Sequence, residues 1–203
     1  MEAASPPVAT AAAPDYPARF DVEYPERLSR WKIFVKWLLA IPQFIIVYLL
    51  QIVGLLMVLV AFFSILFTKR WPLMMFEFMV QIQRWTMNTV AYALTLQRDE
   101  YPPFSGDAGE YAVLLEIDND QNLSRWLIFV KWLLILPHVI VLTFLWIAAE
   151  VAVIIAFFAI LFTARYPRGL FDFVTGTMRW TIRVYAYGHW LMTDRYPPFS
   201  LRG

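Results

Sequence analysis

Two long apolar runs dominate the chain. The first, over positions 37–68, contains no charged residue, and the second, over positions 132–163, contains only Glu150. About 20 apolar residues in a helix are enough to cross a hydrocarbon core, so each run is too long for one untilted helix and slightly short for two. Pro42 and Pro137 lie near the start of the runs, where proline kinks or ends a helix. Two layouts stay open, which are one long tilted helix and a tight helical hairpin.

Lysine and arginine flank both ends of each run. These residues are Lys32, Lys36, Lys69 and Arg70 around the first run, and Arg125, Lys131, Arg165 and Arg168 around the second. Short basic flanks prefer the cytoplasmic side, and a hairpin would bring both ends there, so we favour the hairpin. Glu150 would then lie near its apex in far-side water. In a single long helix it would lie near the middle of the bilayer and need a partner.

Each run is followed by a segment, at about 73–96 and 170–191, whose pattern predicts a helix with a narrow polar stripe. The stripe residues are Glu77, Gln81, Arg84 and Asn88 in the first segment, and Asp172, Arg179 and Arg183 in the second. Such a helix either lies in the membrane interface or spans with its stripe against a protein neighbour. The acid and the arginine are two turns apart, so we expect them to pair across helices.

Polar and apolar residues alternate ahead of each run, over positions 19–24 and 115–118. Period two predicts a short, half-buried strand. We hypothesise that the two strands pair at the membrane surface and join the halves about a pseudo-twofold axis. Because each half is expected to cross the bilayer an even number of times, this axis would run along the membrane normal.

The second half of the chain repeats the first at a constant offset of 95 positions. Leu28-Ser29-Arg30-Trp31 recurs as Leu123-Ser124-Arg125-Trp126, and Tyr101-Pro102-Pro103-Phe104-Ser105 recurs as Tyr196-Pro197-Pro198-Phe199-Ser200. Identities gather at the ends of the apolar runs, whereas the middles differ, because lipid requires only that a side chain be apolar. The sequence predicts a tandem duplication with a tail over 1–15, a first module over 16–105, a linker over 106–110 and a second module over 111–203.

Composition supports a membrane protein over a soluble one. Hydrophobic residues make up 60% of the 203 and charged residues 16%, against about 45–50% and 25% in soluble domains. The net charge of +1 gives no basic excess for a nucleic-acid partner. The absence of cysteine excludes disulfides and thiolate metal sites. The first fifteen residues lack the basic start and apolar core of a signal peptide, so we predict a disordered tail.

The repeated motifs resemble a known family. They are the Leu-Ser-Arg-Trp opening, Ile-Leu-Phe-Thr-x-Arg-x-Pro at 65–72 and 160–167, Arg-Trp at 84 and 179, and the closing Tyr-Pro-Pro-Phe-Ser. The chain is similar to bacterial DUF4389 membrane proteins, with two copies of the domain after the tail. The resemblance implies an integral membrane protein of unassigned function and supplies no catalytic residues.

Candidate site residues are few. Arg84 and Arg179 recur in both copies, and a guanidinium in an apolar helix needs an anion or a carbonyl, so Glu77 and Asp172 are candidate partners, together with lipid phosphate. Glu150 is the fifth candidate. We interpret His138 and His189 as packing or interface residues and expect no metal, cofactor or catalytic residue, because no motif for such chemistry is present.

These observations predict an all-α integral membrane protein of tandem helical modules, each preceded by a short surface strand. We expect a multi-pass inner-membrane protein with both termini on one side, the cytoplasmic one. Its expected role is a non-enzymatic scaffold whose basic and aromatic rims organise lipids, another membrane protein or a second copy of the chain. The alternative is a small transporter or channel, in which Arg84, Arg179 and Glu150 would line a polar path at the pseudo-twofold axis.

Overall fold

The computed structural model describes residues 16–120 and 122–202, and the tail predicted over 1–15 lies outside them. The described chain is mostly helical, with one small sheet. Its elements in chain order are β1 (Ala18–Val22), a 3₁₀ turn (Lys32–Phe34), α1 (Lys36–Leu39), α2 (Ile41–Thr68), α3 (Leu73–Ala93), β2 (Val113–Ile117), α4 (Leu127–Leu134), α5 (Leu136–Thr163), α6 (Arg168–Val184) and a π-helical turn (Tyr185–His189). Every helix and strand of the first half has its counterpart about 95 positions later.

The two apolar runs form single continuous helices, so the hairpin expectation is wrong. Helices α2 and α5 have 28 residues each, which corresponds to about 42 Å at 1.5 Å per residue. Pro42 and Pro137 occupy the first turn of these helices. Proline is tolerated there because the missing N–H would have no partner inside the helix. No proline lies further along either run, and the helix continues.

The two predicted strands are present and pair with each other, which confirms the hypothesis of pairing and adds one small sheet to the helical fold. Strands β1 and β2 are antiparallel, and Phe20 lies opposite Leu115, its own counterpart in the repeat. Alternate residues on one face of the sheet are buried. The opposite face carries charged side chains, among them Asp21 and Glu116.

The strands cross over between the halves. Strand β1 packs against α6 and strand β2 against α3, so each strand covers the helix of the other half. The Leu28 N–H donates to the Ala164 carbonyl oxygen (2.9 Å), and the Leu123 N–H donates to that of Lys69 (2.8 Å). The halves therefore interlock, and the module boundaries at 105 and 111 stay a prediction.

The long helices run in opposite directions. Phe62, near the end of α2, contacts Phe129 at the start of the second half, with ring centroids 5.4 Å apart. Phe34 contacts Phe157, near the end of α5, at the same distance. With the strand register, these contacts define an approximate twofold axis that is perpendicular to the sheet and to the long helices. Along this axis the charged sheet lies at one end, α3 and α6 follow, and α2 and α5 lie at the other end.

Most of the surface of the long helices is apolar and exposed. Only a narrow face of α2 is buried, through residues such as Val47, Ala61 and Ile65. The described chain has two helical segments long and apolar enough to cross a membrane, Ile41–Thr68 and Leu127–Thr163, each with 22% of its most apolar window buried.

Candidate functional site

Arg84 attaches α3 to the strand of the other half. Its Nη2 and Nε donate to the Leu115 carbonyl oxygen (2.8 and 3.2 Å), and its Nη1 donates to that of Gly106 (2.6 Å). Burial lowers the pKa of the Arg84 guanidinium, and the nearby carboxylates of Glu116 and Asp107 oppose that shift. Of the acceptors considered from the sequence, the structure therefore gives Arg84 backbone carbonyls.

Arg179 makes the equivalent attachment between α6 and strand β1 of the first half. Its Nε donates to the Phe20 carbonyl oxygen (2.7 Å) and its Nη1 to that of Leu201 (2.9 Å). Its Nη2 also forms an ion pair with Asp21 (2.9 Å). The two arginines thus hold both strands against the helices that the strands cover.

The two acids named with these arginines lie elsewhere. Glu77 is exposed, and it makes no hydrogen bond or ion pair with any residue that the structure describes. Asp172 forms an exposed ion pair with Arg168 one turn earlier (3.2 Å). The prediction that Glu77 and Asp172 pair across helices with Arg84 or Arg179 is therefore wrong.

Glu150 lies on the wall of a cavity at the twofold axis. The cavity has a volume of about 710 Å³ and is bounded by α3, α5, α6 and Gln51 of α2. Equivalent residues from both halves line it, for example Thr86 and Thr181. Arg84 and Arg179 are not among its lining residues, so the five candidates do not form one site.

A buried lysine–aspartate pair in each half escaped the sequence analysis. The Lys36 side chain is fully buried, and its Nζ lies 2.7 Å from a carboxylate oxygen of Asp99 and donates to the Arg98 carbonyl oxygen (2.6 Å). Burial lowers the pKa of Lys36, and the hydrogen bond to Asp99 opposes that shift. The second half repeats the pair as Lys131 and Asp194 (2.8 Å).

These aspartates also fix the opening motif of each half. The Ser29 N–H donates to Asp99, and the Ser124 N–H donates to Asp194. The sequence signal was available, because both aspartates recur at the offset of 95 beside Tyr-Pro-Pro-Phe-Ser. Lys36 and Lys131 are among the residues predicted as basic flanks of the apolar runs, but both side chains are fully buried.

His138 is a packing residue, as the sequence analysis predicts. Its Nδ1 accepts a hydrogen bond from Trp180 Nε1 (3.0 Å), and its ring stacks on Phe199 (3.8 Å between centroids). Gln43, its counterpart, accepts a hydrogen bond from Trp85 Nε1 and donates to the Pro102 carbonyl oxygen (2.8 Å). The closing Tyr-Pro-Pro-Phe-Ser motif thereby folds back onto the start of each long helix.

Both lysine–aspartate pairs and most of the recurring motifs fall within two matches to one family model. That model, described as "Domain of unknown function (DUF4389)", matches residues 30–106 and 125–200. The chain belongs to the DUF4389 family. Its two DUF4389 domains stand in tandem, and both strands precede the matched segments or lie between them. No curated protein and no solved structure matches the chain.

Replacing Arg84 by lysine is expected to destabilise this DUF4389 protein. An ammonium cannot reach both carbonyl oxygens as the planar guanidinium does, and hydrogen bonds from charged groups contribute about 1.5–3 kcal/mol. We expect Arg84→Lys to lower the free energy of unfolding by about 2 kcal/mol, measured by denaturant titration in mild detergent. Exposed Arg70→Lys is the matched control. A loss seen only with anionic lipid present would indicate a phosphate-binding role instead.

The buried pair predicts strong coupling between Lys36 and Asp99. Lys36→Met leaves a buried carboxylate without its partner, which costs about 3–5 kcal/mol. Asp99→Asn keeps the acceptor for Ser29 but leaves Lys36 as the unpaired charge. We expect the double variant to be more stable than the sum of the two losses predicts, by at least about 1 kcal/mol, in a double-mutant cycle of unfolding free energies. Additive losses would contradict the pair.

Proposed function

We propose that the protein is a non-enzymatic scaffold held in a membrane by one apolar face, made of α1, α2, α4 and α5. We call this surface the apolar face. It presents large exposed side chains along both long helices and tryptophans near their starts, among them Trp37 and Trp132. An exposed apolar area of this extent marks an interaction surface in a soluble protein or a contact with lipid. The composition of the whole chain favours lipid.

The arrangement of the halves supports an orientation in which the long helices lie in the plane of the membrane. Because α2 and α5 are antiparallel about an axis through the sheet, an upright α2 would bring the sheet to the level of the bilayer centre. The outer face of the sheet carries exposed charges, including Asp21, Glu116 and Asp118. Charged side chains at that depth facing lipid are strongly disfavoured. With the long helices in the plane, these charges face water.

Basic residues at the two ends of the apolar face support the same orientation. Lys69, Arg70 and Arg125 lie near one end, and Arg27, Arg30 and Arg165 lie near the other. In an in-plane arrangement both groups lie at headgroup level on one side, where each basic residue contributes about 1 kcal/mol of attraction to anionic lipids. We infer that this side is cytoplasmic, and that the multi-pass expectation gives way to insertion into one leaflet.

The transporter alternative has weaker support. Two of its three expected path residues, Arg84 and Arg179, donate all their described hydrogen bonds to the strands and to the carbonyl oxygens of Gly106 and Leu201. Only Glu150 lies at the axial cavity. A molecule within one leaflet also offers no route across the bilayer. The scaffold proposal therefore rests on two surfaces: the basic ends, which would attract anionic lipids, and the charged sheet, which would face water.

Labelling from the two sides of a membrane tests the proposal. The chain has no native cysteine, so Arg70→Cys and Arg165→Cys each introduce one thiol, at equivalent exposed positions on opposite ends of the apolar face. We expect a membrane-impermeant maleimide to label both variants from the same side. Glu116→Cys in the sheet should react from that side too. Leu56→Cys on α2 should react only after detergent is added. Reaction of Arg70→Cys and Arg165→Cys from opposite sides would contradict in-plane insertion.

A further inference from the structure

The axial cavity breaks the symmetry of the repeat. Three side chains on its wall, Glu150, Tyr185 and His189, replace Leu55, Val90 and Leu94 of the first half. The apolar counterparts indicate that the fold itself does not require polar groups at these positions. The polar residues at these three positions are therefore specific to the second half and to the cavity wall.

The other polar groups of the cavity wall already have partners. Gln51 Nε2 donates to Gln83 (3.2 Å) and to the Thr86 hydroxyl (2.8 Å). In the second half, Trp146 Nε1 donates to the Thr181 hydroxyl (3.0 Å). Because these groups have hydrogen-bond partners within the protein, they do not require a ligand.

Glu150, Tyr185 and His189 differ, because none of them makes a hydrogen bond or ion pair to a residue that the structure describes. Tyr185 and His189 contact each other only through their rings, with centroids 5.5 Å apart. Burial lowers the pKa of His189, so its imidazole is neutral at pH 7 and has one donor and one acceptor. The two carboxylate oxygens of Glu150 can accept hydrogen bonds. All three side chains are exposed at the edge of the cavity. In the proposed membrane insertion they border lipid, where polar groups are costly unless they gain hydrogen bonds.

Most of the remaining wall is apolar, and the cavity lies next to the apolar face. Side chains such as Met178, Val153 and Ile154 line it, and the last of these is also exposed on α5. Its volume of about 710 Å³ is within the range of about 300–1,000 Å³ found for small-molecule sites. Helices α2 and α5 pack mainly against α3 and α6 and little against each other, which leaves a way in from lipid.

We propose that the axial cavity binds a long-chain membrane amphiphile whose head is an amine or an alcohol. The chain occupies the apolar part, and the head donates hydrogen bonds to Glu150 beside Tyr185 and His189. A fatty acid is disfavoured, since its carboxylate would face that of Glu150. Entry from lipid rests on the proposed membrane insertion, whereas the binding itself can be measured without a membrane.

Three probes with the same 18-carbon chain test the head-group chemistry: oleylamine, oleyl alcohol and oleate. Binding to the full chain is measured in mild detergent by native mass spectrometry, which reports stoichiometry. We expect one bound oleylamine or oleyl alcohol per chain. Oleate should bind about tenfold more weakly or worse, since a hydrogen bond to a charged group contributes at least one factor of ten.

Two variants and one matched control locate the site. Glu150→Leu introduces the residue that the first half has at position 55, and it should remove the preference for oleylamine over oleate. Glu77→Leu removes the same charge from an exposed position on α3 and should bind as the wild type does. Val153→Trp should fill the cavity and abolish binding of all three probes. Thermal unfolding of each variant in the same detergent checks that it is folded.

The proposal fails if no probe binds with one-to-one stoichiometry, if Glu150→Leu and Glu77→Leu behave alike, or if folded Val153→Trp still binds the probes. Sidedness labelling keeps this outcome separate from the scaffold proposal. Same-side labelling without amphiphile binding overturns only the cavity assignment. Amphiphile binding with labelling from opposite sides overturns only the in-plane scaffold.

Discussion

The antiparallel ladder between β1 and β2 determines how the rest of the molecule can meet a membrane. Because Phe20 pairs with its own counterpart, Leu115, the two halves are related by an axis through the sheet. The contacts of Phe62 with Phe129 and of Phe34 with Phe157 show that α2 and α5 run in opposite directions across that axis. One end of that axis is charged and the other is apolar. A bilayer can cover the apolar end only if the long helices lie along its surface, and the proposed in-plane orientation rests on this combination of helix direction and charge.

Polar interactions repeated at the same offset hold this arrangement together. Arg84 and Arg179 bind the strands that cross over from the opposite half, and the lysine–aspartate pairs of Lys36 and Lys131 attach the opening of each half to its own end. All four cations point into the protein. The residues that the repeat retains at the ends of the apolar runs therefore include partners in interior ion pairs and hydrogen bonds.

Part of the fold follows from local patterns, since hydrophobic period predicts α3, α6 and both strands near their observed bounds. The hairpin predicted for each long run is wrong, because Pro42 and Pro137 lie in the first turn of a continuous helix. The relative direction of the two halves does not follow from local patterns, because periodicity within a segment contains no information about which end of another segment it meets. The basic flanks of each run predict that both ends share one side of the membrane, and the proposed in-plane orientation of α2 is consistent with this without a hairpin. The sequence indicates that Arg84 needs an anion or a carbonyl as its acceptor. It does not identify the carbonyl oxygens of Gly106 and Leu115, which lie more than 20 positions further along the chain. Asp99 and Asp194 recur in the repeat. Their partners, Lys36 and Lys131, resemble the other basic residues that flank the apolar runs, so the sequence alone does not reveal the pairing.

The depth of α2 in the bilayer tests the in-plane orientation most directly. Ile45, Leu56 and Phe67 are exposed along one side of α2, and from first to last they cover about 33 Å at 1.5 Å per residue. Single cysteine variants at these positions can carry nitroxide labels, whose depth is measured from their accessibility to oxygen and to a water-soluble nickel complex. The account predicts the same depth for all three labels, within one leaflet. A label at Leu56 near the bilayer centre, with the labels at Ile45 and Phe67 near opposite surfaces, would contradict it.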